Sequence, residues 1–302
     1  MDDKLVYHYT SIEAFRSLIE SVPKSSTGDC FLFRASNILF MNDPNEFYFG
    51  RKVFIKTLKE IEDLLEIKDE IRLSLPWTEI SAIDEKEKDK EYLQYLMNLK
   101  QIPYVLSFSH LEDSLPMWLN YANNGKGVCL AFLDERNHPI REKMNGDVRK
   151  VSESFFTSDV FYGNIDKNSC LYDIILKTMK DYKDDVLTDY IGLKDAYFDT
   201  LIQYAAPFIK TQHYMNEYEV RVSKTISFDY GSKDGIAKFR TNKLGNIVPY
   251  VDVEIPVENL KFVVLGPLVE TDLTRLALEM MVGEYLDKRI DIRSSNVKYR
   301  EY

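Results

Sequence analysis

The chain has 302 residues, 45% hydrophobic and 29% charged, which supplies a sizeable core and excludes a disordered polymer. Lys and Arg total 39 against 49 Asp and Glu, and the net charge of −10 excludes a broad basic surface that grips nucleic acid through its phosphates. Three scattered cysteines without CxxC spacing and the lack of any run of ~18 apolar residues argue against a disulfide framework, a Cys-based zinc site and a membrane span, so a reducing cytoplasm is expected.

Leu5 to Tyr9 predicts a strand, and Thr10-Ser11-Ile12-Glu13 has the form of a capping box opening a helix with Ile12, Phe15 and Ile19 on its apolar face. Phe31 to Ser36 predicts a second strand. Asp43-Pro44-Asn45-Glu46 then starts a helix through Leu65, with Asp43 as its cap and Pro in the first turn. Lys59 to Lys100 holds seven basic and twelve acidic residues, half of the net charge, and reads as a solvated helical insertion. Strands follow at Tyr104 to Ser109 and Gly127 to Leu133, with a short helix from Ser114 to Ala122 between them. Two helices, Ser169 to Tyr190 and Leu193 to Thr211, form a second insertion over residues 169–212. The last third predicts strands at Glu217 to Ile226, Ile247 to Ile255, Lys261 to Leu265 and Arg289 to Ile292, and a helix from Asp272 to Leu286. Strands at both ends of the chain, without regular βαβ alternation, point to one α+β domain over residues 1–302.

Strand alternation places Glu217, Glu219 and Arg221 on one face and Tyr218, Val220 and Val222 on the other, core-facing one. The charged row fits either an exposed edge or a carboxylate cluster in a cleft. Ser107 and Ser109 share a face opposite Leu106 and Phe108, and His8 stands at a strand end just before a helix. Met117, Trp118 and Tyr121 at helical spacing fit ordinary core packing or an aromatic wall. Asn42 and Asp43 fit a helix cap, and Lys210 and His213 fall before the charged strand as candidates for substrate contact. His8, His110, His138 and His213 form no zinc motif, and GxGxxG, GxxxxGK[ST] and GxSxG are all missing, which excludes the common signatures of dehydrogenases, P-loop ATPases and serine hydrolases.

His8-Tyr9-Thr10, Asn42-Asp43-Pro44 with Glu46, Ser107-Phe108-Ser109, Met117-Trp118 with Tyr121-Ala122, Gly127-Val128, Glu217-Tyr218-Glu219-Val220-Arg221, Gly266-Pro267 and Ser295 with Tyr299-Arg300 resemble, in order along nearly the whole chain, the DUF2971 family of bacterial and phage-associated proteins. The same elements resemble the ADP-ribosyltransferase superfamily, in which a first-strand His or Arg, a middle-strand Ser-x-Ser or Tyr and a late-strand Glu hold NAD. This sequence combines the His of one branch with the Ser-x-Ser and Glu-x-Glu of another.

The resemblance implies a single ADP-ribosyltransferase-like α+β domain with a split mixed or antiparallel sheet and helical insertions at 59–100 and 169–212. It further implies NAD as co-substrate. Glu219 would act on the ribose, and Glu217 would take a proton from the acceptor or orient it. His8, Tyr9, Thr10, Ser107, Ser109, Trp118, Tyr121 and Arg221 would line the NAD site, Arg221 either pairing a diphosphate or neutralising Glu219. The expected function is transfer of ADP-ribose to a nucleic acid or protein, as a toxin or phage-defence effector, with an antitoxin or regulatory protein as partner and no membrane. The alternative expectation is a non-catalytic module that senses a nucleotide or phage component.

Overall fold

The computed structural model describes residues 4–22, 30–43, 45–69, 72–73, 101–134, 156–184, 194–227, 237–242 and 245–300. His138 and most of the acidic segment 59–100 lie outside them. In chain order the strands are β1 (Leu5–Thr10), β2 (Cys30–Asn37), β3 (Gln101–Ser109), β4 (Val128–Leu133), β5 (Phe156–Asp159), β6 (Phe161–Tyr162), β7 (Ile209–Lys210), β8 (Glu219–Ser227), β9 (Lys238–Thr241), β10 (Ile247–Pro256), β11 (Leu260–Leu265) and β12 (Asp291–Ser294). The helices are α1 (Ile12–Glu20), α2 (Glu46–Leu64), α3 (Leu115–Tyr121), α4 (Cys170–Lys183), α5 (Lys194–Ala205) and α6 (Thr271–Leu286). This is an α+β architecture around a mixed sheet, the class that the strand and helix pattern predicts.

Ten strands form the main sheet, ordered β12-β11-β4-β1-β3-β2-β10-β9, with β8 on β3 and β5 on β8. The β11–β12 pair is parallel and its neighbours are antiparallel. On one edge β3 pairs with β8 along its whole length, from Gln101↔Ser227 to Ser109↔Glu219. On its other edge β3 meets β2 only at Tyr104 and Val105 and β1 only at Ser109. Between those points β1 and β2 part, so Leu106, Ser107 and Phe108 have no ladder partner on that side. The sheet is therefore split, and the slot positions the site.

Alternation assigns the faces. Val6, Phe33, Phe108 and Val220 join Phe15 and Ile19 of α1 and Leu278 and Val282 of α6 in one core. On the opposite face Tyr7, Tyr9 and Cys129 pack under Met117 and Trp118 of α3. Further along that face, Val105 lies beneath a helical layer in which Phe54 of α2, Ile175 of α4 and Phe198 of α5 meet. Gly50 sets how closely α2 docks. A Cβ there would stand 2.2 Å from the Ala206 carbonyl oxygen, so only glycine lets the helix approach the 206–209 segment.

Local chemistry moves several boundaries. Ser11, not Thr10, caps α1, its Oγ accepting from the Ala14 N–H at 3.1 Å. Asp43 accepts from the Asn45 N–H at 2.9 Å in a turn before α2, and the helix itself begins at Glu46. The helix expected to reach Thr211 ends at Ala205. Pro207 enters a 3-10 turn over Ala206–Phe208, after which the chain extends into β7, which pairs in parallel with β6. Glu217 lies outside the late strand, at the end of a 3-10 turn over Gln212–Glu217, and Tyr218 takes a left-handed conformation at φ +44°. No helix among the described residues is long and apolar enough to cross a membrane.

Candidate functional site

A cleft of about 490 Å³ opens through the slot between β1 and β2, reached by His8 of β1, Ser107 of β3 and Tyr121 of α3 on its walls. Glu46 of α2, Lys210 of β7, Glu217 and Glu219 also line it. His8 comes from the α1 side of the sheet and the glutamates from the α2 side. They meet because β3 is bare between its contacts with β1 and β2.

Five charged side chains form one buried network. Arg221, 0% exposed, donates from Nε to Glu219 Oε1 at 2.7 Å and from Nη2 to Glu219 Oε2 at 3.0 Å. Its Nη1 donates to the Pro207 carbonyl at 2.5 Å and lies 2.6 Å from Glu46 Oε1. Lys210 bridges the three glutamates, with Nζ 2.7 Å from Glu217 Oε2, 3.0 Å from Glu219 Oε2 and 3.5 Å from Glu46 Oε2. The same ammonium stands 4.4 Å from the centre of the Tyr214 ring. Three carboxylates against two cations leave a net charge of −1 in a site shielded from water, where unmatched charge is costly.

Burial alone would raise the Glu219 carboxyl, but the charges of Arg221 and Lys210 outweigh it and hold it down at about 2. Burial works against charged Lys210 as well, and Glu219 overcomes it, so the ammonium titrates above its ordinary value. The Tyr121 hydroxyl donates to Glu217 Oε1 at 2.7 Å. Burial, and then the bond to Glu217, pushes that phenol well up, so it remains a donor. The Tyr162 hydroxyl accepts from the Glu219 backbone N–H at 2.8 Å, fixing the start of β8.

His8 donates from Nδ1 to the Ser107 carbonyl at 3.0 Å, filling one of the ladder positions left open on β3. Phe33 and Phe108 flank its ring, and burial lowers its pKa, so the imidazole is neutral near pH 7. That leaves Nε2 for a ligand. The Ser107 hydroxyl is buried without a protein partner, close enough to Glu219 to help keep that carboxylate ionised.

Several expected positions are placed differently. Trp118 is 0% exposed, its Nε1 donates to Asp113 Oδ1 at 2.7 Å and its ring meets Tyr9 edge-on, so it anchors α3 in the core and does not line the cleft. Tyr121, one turn along the same helix, does line it. Arg221 is buried beneath the cleft as the partner of Glu219 and Glu46 and does not line it. Ser109 is buried and donates to the Glu217 carbonyl at 2.6 Å, where it braces the turn rather than facing the cleft. Tyr9 and Thr10 border the cleft, and the Tyr9 hydroxyl is engaged in donating to the Leu111 carbonyl at 2.8 Å. The charged row of β8 is not an exposed edge, since Glu219 is only 5% exposed. His213 is exposed and outside the cleft.

Sequence reasoning left Lys210 as a bare candidate and gave Glu46 no chemical role. A signal existed for both. Lys210 follows the apolar run Ala205-Ala206-Pro207-Phe208-Ile209, where a lone lysine needs a buried counter-charge, and Glu46 opens a helix whose neighbours Phe47 and Gly50 are buried. Arg34 and Arg240, on the β2 and β9 side of the cleft, gave no motif at all.

No curated protein and no solved structure matches the chain. Residues 117–222, from α3 through the first half of β8, match the model of a family described as Protein of unknown function (DUF2971). That stretch takes in Tyr121, Lys210, Glu217, Glu219 and Arg221, and the match supports the resemblance to this family.

Proposed function

We propose that the chain is an ADP-ribosyltransferase-like enzyme that transfers ADP-ribose from NAD to a macromolecular acceptor, a nucleic acid or a protein, as a toxin or defence effector would. The observation that carries this reading is the arrival of His8, Ser107 and Glu219, from three strands far apart in sequence, at one cleft. The cleft suits the substrate on two further grounds. Its volume lies within the range of small-molecule sites. The Ser107 hydroxyl stands beside Glu219 on its wall, where a ligand hydroxyl can meet both groups.

NAD supplies a ribose carbon bonded to a leaving group, nicotinamide. Glu219 sets a fixed negative charge where positive charge grows on the ribose as that bond breaks, and its attraction strengthens toward the transition state. Arg221 and Lys210 hold the carboxylate in place and ionised, so little reorganisation is needed. Glu217, the more open of the pair, takes the proton from the attacking hydroxyl or amine of the acceptor. His8 Nε2, the unprotonated ring nitrogen, accepts from a ligand hydroxyl, Ser107 Oγ meets a ligand oxygen beside Glu219, and Tyr121 keeps Glu217 turned into the cleft.

A second reading, a nucleotide-sensing module without turnover, draws on the commitment of both Glu219 oxygens to cations. Labelled NAD incubated with lysate and with wild type or Glu219→Gln separates the two. Labelled acceptor made by wild type and lost in the variant supports the transferase. Calorimetric binding of NAD with no nicotinamide release points to the module, and no binding of NAD overturns both.

A further inference from the structure

We infer that Arg34 and Arg240 form a phosphate subsite in the same cleft, so that the natural ligand carries a phosphate or diphosphate group at its β2 and β9 end. The two residues come from strands on either side of β10. The ladders pair Arg34 with Asp252, Ser36 with Tyr250, Lys238 with Tyr250 and Arg240 with Val248. All project from the sheet face that also carries Ser107 and Glu219, since Phe31, Phe33 and Ala35, the odd positions of β2, face the opposite core. Both arginines line the cleft.

The chemistry there is the inverse of the glutamate end. Neither guanidinium lies within 4 Å of a carboxylate among the described residues. Arg34 is exposed and stacks 5.2 Å from the Tyr250 ring centre. Arg240 donates from Nη2 to Ser36 Oγ at 2.9 Å, while its buried Nε has no partner. Burial and then the charge of Arg34 press the Arg240 pKa below its ordinary value. Asp252, the ladder partner of Arg34, is ion-paired with Lys238. Two adjacent guanidiniums, one of them partly desolvated, are thus left without an anion. A phosphate with two or more oxygens matches the paired donors and relieves both the repulsion and the desolvation.

Spacing selects the size of the ligand. Arg34 lies two strands from β8, about 10 Å or more from Glu219 at ~4.8 Å per strand, the reach of a sugar joined to a phosphate chain. The assignment of NAD's diphosphate to this subsite rests on the proposed function, but the subsite itself does not, because any nucleoside diphosphate presents the same group.

Calorimetry on the full chain with ADP, inorganic pyrophosphate and adenosine tests it. ADP and pyrophosphate are expected to bind, with adenosine at least tenfold weaker than ADP. Arg34→Gln and Arg240→Gln should each weaken ADP roughly tenfold to hundredfold and leave adenosine unchanged, with Arg34→Lys intermediate. Lys56→Gln, on the exposed surface of α2, is the control and should bind as wild type. If Arg240→Gln misfolds, Arg34→Gln decides, because its side chain is exposed. Equal ADP affinity in folded wild type and Arg34→Gln, or ADP no tighter than adenosine, overturns the subsite. Arginine-dependent ADP binding without NAD turnover keeps the subsite and removes the transferase. NAD turnover with an unchanged KM in Arg34→Gln does the reverse.

Discussion

Arg221 grips Glu219 through two parallel hydrogen bonds, at 2.7 and 3.0 Å, from a guanidinium with no exposure to solvent. A bidentate pair of this kind fixes both the position and the charge of the carboxylate. Everything the cleft does with negative charge depends on it.

Arg221→Met leaves Glu219 and Glu46 facing each other without their main cation and should cost roughly 3–5 kcal/mol in urea unfolding. Glu219→Gln should cost less, because the amide still accepts one bond. The double variant is expected to recover part of the Arg221→Met loss. Full additivity of the two costs would show that the groups do not interact.

Acid should unfold the protein in two windows. In the folded chain Glu219 is raised by burial but lowered further by Arg221 and Lys210, to about 2 from an ordinary 4.5. Its contribution, roughly 3 kcal/mol, is complete above about pH 4.5 and is lost as pH falls toward 2. Burial lowers the pKa of His8 from 6.5, so the unfolded chain takes up a proton that the folded chain refuses and stability already declines below pH 6.5. His8→Phe should abolish the upper decline and Glu219→Gln the lower one. A wild-type urea midpoint that stays level from about pH 7 down to pH 3 would contradict both.

Gly50→Ala tests the docking of α2. Its methyl group would meet the Ala206 carbonyl oxygen at 2.2 Å, and the resulting overpacking should cost about 1–3 kcal/mol. Because the displaced segment carries Lys210, the variant should also lose ADP or NAD affinity by more than a surface change such as Lys56→Gln. A thermal midpoint equal to wild type would contradict the close approach.

Trp118 and Tyr121 separate core from cleft within one helix. Trp118→Ala should cost roughly 3–5 kcal/mol in unfolding free energy. Tyr121→Phe should shift stability by about 1 kcal/mol while freeing Glu217 Oε1, and so change the pH profile of any NAD turnover. The opposite pattern, a stable Trp118→Ala and an unfolded Tyr121→Phe, would exchange their roles.

The sequence carried the long elements well because their signals are local. Alternation in β3 and the capping-box pattern before α1 place them within a few residues. The short strands β6 and β7 carry two residues each, too few for any periodicity, and Pro207 breaks a helical pattern that otherwise continues. Alternation also misread Glu217. It lies at the end of a 3-10 turn before β8, with Tyr218 at φ +44° between it and Glu219, and a left-handed tyrosine leaves no trace in composition. Arg34 and Arg240 become neighbours only through the β2–β10–β9 order, a tertiary fact with no motif behind it.

The strand order has a consequence for how the protein is made. The cleft needs β1 near the beginning of the chain, β8 from residue 219 and β9 near residue 240, and β3 cannot be flanked on both edges until β8 exists. At ~5–20 residues per second, a ribosome takes roughly 10 to 50 s to reach that point. Until then the nascent chain holds His8, Ser107 and Glu46 without the Glu219 and Arg240 that complete the cleft. The cleft is completed only once β8 and β9 have both been made.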